Sequence, residues 1–91
     1  MEGKIKLHNF MEYVVFEILE SISKERNDFC KCERCKLDIA AIALNNLRPH
    51  YTVTEEGEVY AKVQMLIQQF KTDAIIEILK AIEIVSRNPH H

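Results

Sequence analysis

The sequence predicts an all-α fold: a small helical domain of three to four helices with a zinc knuckle and a long C-terminal helix, forming a homodimer. Apolar residues recur every three or four positions through most of the chain, and only two glycines and two prolines interrupt it. Three cysteines fall between positions 30 and 35, directly before an apolar run. The helical period therefore outweighs any strand-like alternation.

Length and composition point to one globular domain over residues 1–91, since the chain is 47% hydrophobic. The net charge of −2, with no block of Lys or Arg, makes nucleic acid an unlikely partner. We expect no signal peptide and no membrane span, because no apolar run is long enough. An odd cysteine count without a secretory segment favours the reducing cytoplasm, and metal binding over disulfides.

The first helix is predicted to open at Asn9, with Glu12 completing a capping box. One apolar stripe follows at helical spacing: Leu7, Met11, Val14, Ile18 and Ile22, widened by Phe10, Val15 and Leu19. The polar turn at 25–28 ends this helix.

The cysteines form a C-x-C-x-x-C knuckle. Zinc is held by four ligands at about 2.0–2.3 Å in a tetrahedron, and Cys30, Cys32 and Cys35 supply three corners. The fourth must come from elsewhere, and the chain offers His8, His50, His90 and His91. Three buried apolar thiols, a Cys32–Cys35 disulfide and an iron-containing site are the alternatives.

A second helix is predicted from the knuckle onward, with Cys35 at or just inside its N-terminus, where the helix dipole favours a thiolate. Residues 37–47 are apolar almost all round, which predicts a buried helix. Asp38 and Asn45 are two turns apart on one face. Pro49 is expected to end the helix.

A loop follows, in which residues 51–53 are expected to be extended and Gly57 to need positive φ. One long helix is then predicted over 60–86, about 40 Å in length and weakest at Thr72-Asp73. Its apolar surface exceeds what one short chain can cover, so we expect a symmetric homodimer. The candidate seam residues are Phe70, Ile75, Ile78, Leu79 and Ile82.

The pattern C-x-C-x-x-C-x-x-D-I-x-A-x-A-L-N-x-L-x-P-x-Y, running from Cys30 to Tyr51, resembles the late competence protein ComFB family. Gly57-Glu58-Val59-Tyr60 and Asn88-Pro89 extend the resemblance over most of the chain. It implies a non-catalytic α-helical homodimer connected with natural competence or related regulation. It also implies a cyclic dinucleotide ligand, cyclic di-AMP in particular. Family members place a histidine or cysteine beyond the Asn-Pro, which favours His91 as fourth zinc ligand and His90 second.

A ligand site is predicted around Asp38, Asn45, Arg48 and Tyr51. Arg48 offers a planar fork for phosphate, and the Tyr51 ring offers a stacking surface for a base. Arg48 replaces the proline common in the family, so its phosphate role is not inherited. The alternative is that Asp38 and Asn45 bond a neighbouring loop while Arg48-Pro49 merely ends a helix.

Two classes of function stay open at this point. The first is a regulatory or adaptor protein that binds a cyclic dinucleotide. The second is a structural protein- or DNA-associated subunit of the competence apparatus, with zinc only as a staple. An enzyme is not expected, because no set of nucleophile, base and orienting group is assembled in the sequence.

Overall fold

The computed structural model describes residues 5–88 in one mostly helical unit. Its elements in chain order are strand β1 (Ile5–Asn9), helix α1 (Met11–Glu25), helix α2 (Glu33–Asn45), strand β2 (Tyr51–Glu55), a 3-10 turn (Glu56–Glu58) and helix α3 (Val59–Arg87). The three α-helices pack on one another around a single apolar core.

A small sheet corrects the all-α expectation. β1 pairs antiparallel with β2, with Leu7 opposite Val53 and Asn9 opposite Tyr51. The sequence assigned Leu7 to the first helical stripe, but the chain is extended there, and Leu7 is 65% exposed. Alternation of Ile5, Lys6 and Leu7 suits a strand, and the partner that stabilises it lies far along the chain. The fold is therefore mostly helical with a two-stranded ribbon.

The N-cap of α1 is Phe10 rather than the predicted Asn9, although the Asn9 side chain still bonds to the start of the helix. Asn9 Oδ1 accepts from the backbone N–H of Met11 at 3.2 Å and from that of His50 at 2.8 Å. Glu12 makes no reciprocal bond among the described residues, so the capping box is incomplete. The buried face of α1 is close to the predicted stripe: Met11, Val14, Val15, Ile18, Leu19 and Ser23.

Helix α2 is buried on one face rather than all round. Cys35, Ile39, Ala40 and Ala43 are buried, whereas Leu37 is 49% exposed. The helix also ends at Asn45, before Pro49 can act. The Asn46 side chain donates to the carbonyl of Ile42 at 2.9 Å, and the Asn46 backbone N–H donates to the carbonyl of Ala43.

The segment after α2 is extended as predicted, but the prediction for Gly57 is wrong. Residues 51–53 belong to β2. Gly57 lies in the 3-10 turn without positive φ, and a Cβ placed on it would meet no atom within 4 Å. Nothing in the turn therefore requires a glycine.

Helix α3 is a single 29-residue helix that passes through Thr72-Asp73 without a break. At 1.5 Å per residue it is about 43 Å long, which matches the molecule's longest dimension of 45 Å. Two predicted seam residues, Ile78 and Ile82, are 0% and 4% exposed and belong to the chain's own core. No helix in the described range is apolar over enough of its length to cross a membrane.

Candidate metal centre

The three cysteines meet at the beginning of α2. Their Sγ atoms all lie within 4.8 Å of one another, with Cys30 and Cys32 exposed and Cys35 buried. In a zinc tetrahedron with metal–sulfur bonds of about 2.3 Å, two sulfurs are about 3.8 Å apart. Three converging sulfur donors could therefore hold a metal ion. Among the described side chains, no other group of three or more such ligands converges in this way.

The helix start arranges two of these donors. Cys32 is the N-cap residue of α2, with an extended backbone, and its Sγ accepts from the backbone N–H of Cys35 at 3.4 Å. The carbonyl of Cys32 accepts from Lys36 N–H at 2.9 Å, which closes the first helical turn. Residues three apart lie on the same side of a helix, so this turn brings Cys32 and Cys35 together.

Burial and hydrogen bonding give the thiols different proton affinities. Burial raises the pKa of the Cys35 thiol to about 12, and its neighbours Cys30 and Cys32 add to the rise. The hydrogen bond from the Cys35 backbone lowers the pKa of Cys32. The sequence predicted Cys35 inside the helix N-terminus, which is confirmed, but the helix start favours the thiolate of Cys32 instead.

The end of α3 reaches the cysteine cluster. A cavity of about 210 Å³ is lined by Cys30 and Cys35 on one side and by Val85 and Ser86 of α3 on the other. The last described turn of α3 therefore lies beside the sulfurs. His91, predicted as the fourth ligand, and His90 both lie outside the described residues. His8 instead lies on β1, where its Nδ1 atom is 3.4 Å from the Tyr13 hydroxyl.

A lysine within the knuckle fastens it to α1. The Lys31 ammonium donates to the backbone carbonyl of Ser23 and to Asn27 Oδ1, the latter at 2.9 Å. It also lies 6.0 Å from the centre of the Phe29 ring. The sequence did not predict this contact, because nothing in a lysine between two cysteines indicates which part of the chain its ammonium will bind. These contacts attach the knuckle to the end of α1.

The four predicted ligand-binding residues do not share one cavity within the chain. Asp38 lies on α2 beside Arg34 at 3.3 Å, and Asn45 is the exposed last residue of that helix. Arg48 lines a cavity of about 200 Å³ together with Asp73 and Glu77 of α3. The Tyr51 ring is 64% exposed on the outer face of the ribbon.

Comparison with known proteins agrees with the resemblance seen in the sequence. The family model described as Late competence development protein ComFB matches residues 8–89. The competence protein ComFB of Bacillus subtilis (strain 168) is 26% identical over 83 residues, covering 91% of this chain and 85% of that protein. A solved structure of the late competence protein ComFB from Bacillus subtilis matches with a TM-score of 0.74 and 27% identity, covering 92% of each chain. Because the family match spans most of its length, the chain belongs to the ComFB family of late competence development proteins.

Proposed function

We propose that the chain is a non-catalytic regulatory or adaptor protein of natural competence or related signalling, stabilised by zinc and active as a homodimer in the cytoplasm. The observation that carries this proposal is the convergence of three Sγ atoms within 4.8 Å, beside the end of α3. The name of the Bacillus subtilis relative, a competence protein, supports the biological setting. A reducing compartment keeps the thiols available for a metal.

The zinc ligands in this proposal are Cys30, Cys32, Cys35 and His91. Four protein ligands leave no position open for water or substrate, which makes the metal structural rather than catalytic. The end of α3 lies beside Cys30 and Cys35, which supports a fourth ligand from the residues that follow this helix in the sequence. The metal would then join the start of α2 to the end of α3.

Metal analysis of protein purified without chelator tests the zinc assignment. We expect one equivalent of zinc per chain, and less than about half an equivalent would contradict the site. The His91→Ala variant is expected to bind zinc more weakly, with His8→Ala as the matched control on β1. Unchanged affinity in His91→Ala together with weakened affinity in His90→Ala would move the fourth ligand by one position.

The homodimer in this proposal uses the outer face of α3. Because Ile78 and Ile82 lie in the core, the seam is revised to Leu79 with Ile76, which are 39% and 45% exposed. Phe70 and Ile75 are half-buried and leave the revised seam, because Phe70 lies on the opposite side of α3 from Leu79 and Ile75 borders α1. A twofold interface brings the same patch of both chains together, so this apolar surface would cover itself.

The ligand in this proposal is a cyclic dinucleotide, cyclic di-AMP in particular, bound near the dimer axis. Ile76 of the revised seam lines the same cavity as Arg48, which supports a site at the edge of that seam. Two symmetry-related Arg48 side chains would suit a ligand with two phosphates. The exposed Tyr51 ring is available for base stacking.

Calorimetry with cyclic di-AMP and cyclic di-GMP tests the ligand. Wild type is expected to bind, and Arg48→Ala and Tyr51→Ala to bind less tightly. The controls are Arg87→Ala, at the C-terminal end of α3, and Tyr60→Ala, an exposed tyrosine outside the proposed site. Absence of heat at tens of micromolar with either nucleotide would remove the ligand. Equal binding by both site variants would keep the ligand and remove the site.

One observation weighs against a nucleotide beside Arg48, and in that way favours the second class of function, a structural protein- or DNA-associated subunit with zinc as a staple. Asp73 and Glu77 line the cavity of Arg48, and two carboxylates oppose an incoming phosphate. Thermal melting separates the two classes, because a ligand that binds only the folded state raises the melting temperature. Stabilisation by cyclic dinucleotides alone supports the receptor. No stabilisation, with salt-sensitive binding to duplex DNA, supports the structural subunit.

A further inference from the structure

A groove between α1 and α3 lies away from both the cysteine cluster and the Arg48 cavity. Its volume is about 440 Å³, which exceeds the volume of about 210 Å³ beside the cysteines and of about 200 Å³ beside Arg48. Ile22 of α1 and Ile67 and Ile75 of α3 line it and are half-buried against the core, and these three residues are called its floor below. The groove thus presents branched aliphatic side chains that the chain itself only partly covers.

The two walls of the groove carry opposite charges. Glu17 and Glu25 line the α1 wall, while Lys71 lines the α3 wall. The described part of the chain holds five ion pairs, and none of these three residues takes part in one. The groove therefore offers two carboxylates on one side and one ammonium on the other, without internal neutralisation.

The dimensions of the groove match a short helix. Glu17 and Glu25 are eight positions apart on α1, a rise of about 12 Å, which equals about two helical turns. A helix laid along the groove would place one apolar stripe on the floor, at i, i+3, i+4 and i+7. Cations two turns apart on its flank would meet both carboxylates of the α1 wall.

We propose that this groove is the docking site for an amphipathic helix of a protein partner, with a basic flank that faces α1. Charge complementarity selects this occupant over a second copy of the chain. The chain's own exposed apolar helical face, at Ile76 and Leu79, shares its cavities with four carboxylates and two cations: Asp28, Asp73, Glu77, Glu83, Arg26 and Arg48. The surroundings of that face are therefore net acidic and do not supply the basic flank that Glu17 and Glu25 require. The docking site depends on neither zinc nor a nucleotide.

Two synthetic helical peptides with the same apolar stripe test the proposal by fluorescence anisotropy on the full chain. One carries lysines on the flank, and the other carries glutamates. We expect the lysine peptide to bind about tenfold more tightly at low salt, because opposite charges then face each other across the groove. A third peptide, with the lysines kept and the apolar positions scrambled, is expected not to bind.

Charge reversal of the α1 wall supplies the matched protein variants. Glu17→Lys combined with Glu25→Lys is expected to weaken the lysine peptide about tenfold and to make the glutamate peptide the preferred ligand. Glu12→Lys combined with Glu55→Lys changes the net charge equally at exposed positions outside the groove, and should leave both affinities unchanged. Circular dichroism verifies that both double variants fold.

Several outcomes would overturn the docking site. These are no binding of either peptide, equal binding of both, or equal weakening by the groove pair and the control pair. A further contradicting outcome would come from light scattering, which measures the oligomeric state. If Glu17→Lys with Glu25→Lys changes the oligomeric state while the control pair does not, the groove belongs to an interface between copies of the chain instead.

Discussion

Asn9 connects two distant parts of the chain through a single carboxamide oxygen. The oxygen accepts from the N–H of Met11, at the start of α1, and from that of His50, in the loop before β2. The backbone N–H of Phe10 donates back to the His50 carbonyl at 2.8 Å. One side chain thus fixes both the helix start and the position of the loop.

Replacing Asn9 with Ala should therefore cost more than an ordinary helix cap. We expect a loss of about 1–2 kcal/mol, since a cap is worth about 1 kcal/mol and an unsatisfied N–H adds to it. Urea unfolding measures the difference. Asn9→Asp keeps the acceptor and should retain most of the stability, and Asn45→Ala, at an exposed helix end, is the control. A loss below about 0.5 kcal/mol in Asn9→Ala would contradict this role.

Gly57 provides the opposite case, a residue whose replacement should stabilise the fold. Its φ is not positive, and a Cβ would meet open space. Gly57→Ala is expected to gain about 0.4–1 kcal/mol, because alanine restricts the unfolded chain. Thermal unfolding should show a higher melting temperature. A lower one would mean that the turn needs the backbone freedom of glycine.

The proposed dimer uses the outer face of α3. Leu79→Glu combined with Ile76→Glu should shift the chain toward monomers, because two carboxylates per chain would face their own copies across a twofold axis. Light scattering at micromolar concentration measures the mass. Lys24→Glu, exposed on α1 outside this face, is the control. A wild-type chain that is already monomeric would remove the dimer from the proposed function.

The helices and the cysteine cluster could be predicted from the sequence because their signals are local. The 3.6-residue period located α1 and α3, and the spacing of Cys30, Cys32 and Cys35 predicted their convergence. The period marks which side of a helix is apolar, but not how far the core extends around it, so Ile78 and Ile82 were assigned to a dimer seam. β1 was missed because Leu7 fits a helical stripe as well as an alternating strand. Pairing with the distant Val53 is what favours the strand over the helix.

Metal removal should weaken the whole molecule, since the proposed zinc joins the start of α2 to the end of α3. A ligand present at 100 times its dissociation constant stabilises a fold by about 2.7 kcal/mol, so chelation should lower the melting temperature by about 10 °C or more. Added zinc should restore it. No shift on chelation of zinc-loaded protein would show that the metal does not stabilise the fold.

Acid should release the metal by the same route. With the pKa of Cys35 raised to about 12, its thiol is protonated at neutral pH and zinc must displace that proton. Affinity should therefore rise with pH, by about tenfold per pH unit for each proton displaced. Competition with a chromophoric chelator at about pH 6.5 and about pH 8.0 measures how the zinc affinity changes with pH. A pH-independent affinity would contradict thiol ligation.

The pairing of β1 with β2 has a consequence for the order in which the molecule folds. The bond between His50 and Asn9 closes a separation of 41 positions, a span that contains all of α1 and α2. Closing so long a loop costs entropy before any contact in the ribbon repays it. The ribbon should thus form after α1 and α2 have folded and open before they do. In native-state hydrogen exchange, the amides of β1 should exchange earlier than those of the buried middle of α3, around Ala74 and Ile78.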